Sequence, residues 1–91
     1  MSYDKNYVNK LKLLVESLEM AQEPDASWIC AIIRALVHEI QSELNAGECE
    51  EDREANARLN AIIAECRAAV LGSRKESIER ASIHLKALEN D

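Results

Sequence analysis

His38, His84 and the cysteines Cys30, Cys49 and Cys66 are the side chains best suited to act as bases, nucleophiles or metal ligands. His38-Glu39 opens the helical zinc-protease pattern His-Glu-x-x-His, in which imidazoles one turn apart grip the ion and the glutamate serves as base. Ser42 stands where the second histidine belongs. A carboxylate-bridged iron pair needs Glu-x-x-His on two helices, and Ala35 and Ala81 occupy the positions where those glutamates would lie. Cys30 and His38 are more than two helical turns apart, too far to share an ion without a third element. A cysteine nucleophile needs a histidine and an orienting acid beside it, and no spacing places Cys66 so with His38 or His84. Arg34 and His38, like Arg80 and His84, are one turn apart and read as polar patches at the edge of a core. The expectation is a protein without catalytic residues, metal or cofactor.

The sharpest surface feature is acidic. Glu48, Glu50, Glu51, Asp52 and Glu54 crowd one short segment, with Arg53 as its one base. Acids are welcome at the exposed amides of a helix start, so a solvated loop and helix entry account for them. The same charges could dock on a basic partner surface. The segment lacks the alternating ligands and central glycine of a calcium hand. Trp28 opens the apolar face of its helix, where packing between helices is the first expectation and an anchor in a protein interface the second. Glu48, Glu50, Glu51, Asp52, Glu54 and Trp28 are thus the candidate partner-binding residues.

The chain has 91 residues, is 47% apolar and carries a net charge of −6. It is expected to fold as one domain over residues 1–91. With Trp28, Tyr3 and Tyr7 as its aromatics and no phenylalanine, the core must come from Leu, Ile, Val and Ala, which pack well between helices. One proline and two glycines are too few for the turns of an all-β fold. The negative charge repels phosphate backbones and anionic membrane surfaces, so neither nucleic acid nor membrane is an expected partner. The basic residues Arg74, Lys75, Arg80 and Lys86 of the last segment are offset by Glu76, Glu79, Glu89 and Asp91. No apolar run approaches the ~18 residues of a membrane span. The absence of a basic, apolar leader and an odd number of well-separated cysteines point to a reducing, cytoplasmic setting.

Apolar residues recur at helical spacing in four blocks, so the fold class expected is all-α: a compact antiparallel bundle with helices near 4–22, 25–45, 51–71 and 74–89. In the first, Tyr7, Leu11, Leu14, Leu18 and Ala21 form the stripe, widened by Val8 and Val15. Ser2 or Asp4 could cap it, and Pro24 ends it. Its lysines lie early and its glutamates late, against the helix dipole. Asp25 or Ser27 should cap the second helix, whose apolar face, from Trp28 through Ile32 and Ile33 to Leu44, is broad enough to mark it as the central element. Gly47 and Gly72 should supply left-handed stops. Ser73-Arg74-Lys75-Glu76 has the form of a capping box. Cys30 and Cys66 read as core residues and Cys49 as exposed. The function expected is that of a small acidic regulator or inhibitor that docks on a basic protein surface. It could act as a homodimer; the alternative is a structural subunit or homo-oligomerising bundle without its own activity, built through the broad face of the second helix, and a DNA-binding or enzymatic domain is the outlier.

Overall fold

The structure is a computed structural model that describes residues 3–90 and contains α1 (Lys5–Met20), α2 (Asp25–Ser42), α3 (Glu50–Leu71) and α4 (Arg74–Glu89). The expected cap at Ser2 and the charge of Asp91 lie outside the described residues. The helices form an antiparallel bundle measuring 39 × 20 × 19 Å, with no strand among the described residues. Each helix packs on its sequence neighbours, α1 closes the ring against α4, and the α3–α4 interface is the most extensive.

One core runs through all four helices. Val8, Leu11, Val15 and Leu18 enter it from α1, and Ala26, Ile33, Val37 and Ile40 from α2. Ala55, Leu59, Ile62, Cys66 and Ala69 come from α3, and Ile78, Ala81, Leu85 and Leu88 from α4. Each fully buried Leu or Ile contributes roughly 1.5–3 kcal/mol through removal from water. In α1 the centre of the stripe is shifted from the expected one: Val8 and Val15 are buried, while Tyr7, Leu14 and Ala21 flank them half-buried.

α2 is not the central element. It lies against α1 and α3, and among the described residues its backbone does not run beside α4. A helix at the corner of a four-membered ring buries only one side, so the outer part of its apolar arc has nothing to pack on. Trp28 and Ile32 are accordingly left 69% and 50% exposed.

The helix ends correct several expectations. Asp4 Oδ1 does accept from the Asn6 N–H at 2.9 Å. Neither Asp25 nor Ser27 caps α2; the Ser27 hydroxyl donates to the Glu23 carboxylate at 2.8 Å instead. α2 ends at Ser42, earlier than expected, and Gly47 does not supply the left-handed stop, because Gly72 is the only described residue with positive φ. At Gly72, φ is 142°, and the N–H groups of Gly72 and Ser73 both donate to the Ala68 carbonyl. Ser73 makes no side-chain cap bond, since its ψ of 46° departs from the extended conformation a capping box needs.

The charge order of α1 is answered inside the molecule. Lys5 Nζ donates to the carbonyls of Leu88 and Glu89 at 3.1 and 3.0 Å, at the negative end of the antiparallel α4. Arg74, opening α4, donates in the same way to the Ala21 carbonyl just past the end of α1.

Candidate functional site

The acidic segment forms one end of the bundle. Glu50, Glu51 and Glu54 lie on the first turns of α3 and Glu48 in the preceding loop, all exposed. Asp52 differs from them: it is 1% exposed, and its Oδ2 accepts the Asn45 N–H at 2.8 Å. A carboxylate in the first turn of α3 thereby ties the early part of the α2–α3 loop to the helix that follows. Buried in this way, Asp52 is not available to a partner, and its place in the docking set is corrected to a structural one. Glu48 Oε2 accepts from Asn45 Nδ2 at 3.2 Å, and Arg53 turns back to the Ala46 carbonyl at 3.4 Å. The ion pairs among the described residues are Lys12–Glu89 and Arg80–Glu65, so none neutralises the four exposed glutamates. Cys49, expected to be exposed, is half-buried at the N-cap of α3.

Trp28 belongs to the opposite end. It sits in the first turn of α2, about 21 Å along the helix axis from Ser42 at ~1.5 Å per residue. Its exposure overturns the expectation of packing between helices. Met20 and Leu71, the last residues of α1 and α3, are also exposed at this end. The six candidate residues therefore divide into an acidic end, an apolar end and one buried carboxylate.

Among the described residues neither histidine is hydrogen-bonded to a cysteine. His38 is exposed on α2, while His84 Nδ1 lies 3.3 Å from Arg58 Nη1. Arg80 pairs with Glu65 across the α3–α4 interface, so the one-turn Arg80–His84 patch gives way to partners on the neighbouring helix. Sequence spacing misses these pairs because the helix rotations that choose them are set by the core.

Burial pushes the Cys66 thiol up to about 12, with Cys30 and Glu65 adding to the effect. Cys30, half-buried rather than fully in the core, is also raised by burial, while Arg34 and Arg67 pull the other way. Both are held as thiols, the unreactive form. Among the described residues no three His, Cys, Asp or Glu side chains are placed to hold a metal ion. Among the described residues no helix is long and apolar enough to cross a membrane. No family model, no curated protein and no solved structure matches the chain.

Proposed function

We propose that the protein acts by binding another protein, as a small acidic regulator or inhibitor that offers its acidic end to a basic surface. The observation that carries this reading is the set of exposed glutamates Glu48, Glu50, Glu51 and Glu54 around one helix start, none in an ion pair among the described residues. Unneutralised charge on a rigid helix entry attracts a complementary patch and fixes the register of docking. The reading is tested with Glu50→Lys, Glu51→Lys and Glu54→Lys combined. The helical signal should stay unchanged, while capture of the partner from host extract is lost. Capture by the native chain should weaken steeply as salt rises, because exposed charges are screened within about 8 Å at physiological ionic strength. Capture insensitive to both changes would discard the reading.

A second reading rests on a different observation. Trp28 and Ile32 lie one turn apart on the outer face of α2 and are both exposed, as a seam between two copies would require. If this is the working surface, light scattering will show a dimer that Trp28→Ala or Ile32→Glu dissociates. A monomer at high concentration rules it out.

A further inference from the structure

Between α2 and α3 runs a groove of about 250 Å³, just below the roughly 300–1,000 Å³ of drug-sized ligand sites and large enough for a small ligand. Ile33, Ile63, Val70 and the thiols of Cys30 and Cys66 make its apolar lining. The charged residues that line it, Arg34 and Arg67, are both basic in a chain of net charge −6. Arg53, Arg58, Arg74 and Arg80 each hydrogen-bond to another group of the protein. Arg34 and Arg67 make no side-chain hydrogen bond or ion pair among the described residues, although acids outnumber bases by 17 to 11.

An apolar channel beside two uncommitted guanidinium groups is complementary to a small amphipathic anion. We propose that this groove binds a medium-chain aliphatic carboxylate, its chain laid on Ala31, Ile63 and Val70 and its headgroup held between Arg34 and Arg67. The bidentate fork of arginine suits a carboxylate. The chain, by leaving water, supplies about 0.8 kcal/mol per buried methylene. The acidic end lies at the far end of α2, and charges more than about 8 Å away are largely screened at physiological salt. Glu65, which acts on the Cys66 thiol, is paired with Arg80, so Arg34 and Arg67 are the uncommitted charges at the groove.

Titration with octanoate, followed by amide chemical shifts and calorimetry, tests this. The amides of Ala31, Cys66 and Val70 should shift saturably, and octanol and butyrate should each bind about tenfold more weakly or worse, about one factor of ten for each 1.4 kcal/mol lost. Arg34→Gln combined with Arg67→Gln should weaken octanoate to a similar degree, with an unchanged circular dichroism spectrum because both side chains are exposed. Val70→Trp, which fills the groove, should abolish binding, and the arginine pair decides the matter if that variant does not fold. Equal binding of octanoate and octanol, undiminished binding by the arginine variant, or no saturable shift at all overturns the proposal. Groove shifts that follow protein concentration without octanoate assign the groove to a second copy and overturn it as well.

Discussion

Asp52 and its acidic neighbours share a residue type and a segment, yet their surroundings give them different work. Asp52 is buried with a backbone N–H bonded to its carboxylate, while Glu50 and Glu51 stand in water. Losing a hydrogen-bond partner to a buried group costs about 1–3 kcal/mol, so Asp52→Ala should lower the unfolding free energy by that amount in urea. Glu50→Ala and Glu51→Ala should stay within about 0.5 kcal/mol of the parent. Cys66 makes a second test. Its thiol is raised from an ordinary value of 9.0 to about 12, so the folded chain holds this proton more tightly than the unfolded one. Stability from this group is complete below pH 9 and declines as pH rises, at roughly 1.4 kcal/mol per pH unit until about 12. Cys66→Ala, less stable overall because of its cavity, should show a flatter alkaline decline in the same urea series. The burial of Cys66 was legible because it falls on the apolar period of its helix. That of Asp52 was not, since nothing in a run of acids marks the one facing inward until the α2–α3 loop is placed.

Among the elements, the helices were readable and their ends much less so. Apolar recurrence sets four rods because it depends on the sequence alone, whereas a cap depends on local backbone angles and on competing partners. Ser73 and Glu76 have the right types for a capping box, but the short turn after Gly72 holds Ser73 outside the required conformation. The two glycines test this contrast. Gly72 has φ of 142°, which a Cβ disfavours, so Gly72→Ala should destabilise by about 1 kcal/mol or more. Gly47 has open space around its Cα and no positive φ, so Gly47→Ala should be neutral or slightly stabilising, by up to ~1 kcal/mol. Thermal unfolding of the two variants reads the difference. The breadth of the apolar arc of α2 was also legible, but what covers it was not. Periodicity says which residues prefer to leave water, not how many neighbours a helix will have. In thermal unfolding, Leu59→Ala, at a buried site, should cost about 2–5 kcal/mol. Trp28→Ala, at an exposed one, should cost less than about 0.5 kcal/mol.

At the scale of the whole molecule, the bundle separates two unlike surfaces along its length. Unpaired glutamates surround the start of α3, and Met20, Trp28 and Leu71 stand at the other end. The chain order brings this about: in an antiparallel ring, the α2–α3 loop and the start of α2 must lie at opposite ends. At the acidic end Lys5 is spent on the carbonyls that finish α4 and Arg53 on the Ala46 carbonyl, so neither pairs with the exposed glutamates. A partner that recognises the acidic end should therefore be indifferent to the apolar one. The most direct test is one capture experiment from host extract with three forms of the protein. These are the native chain, Glu50→Lys with Glu51→Lys and Glu54→Lys, and Trp28→Ala with Ile32→Glu. The first and third should retain the same partner and the second should lose it, with all three equally helical. Loss of the partner by the Trp28 and Ile32 variant, with retention by the charge-reversed one, would contradict it.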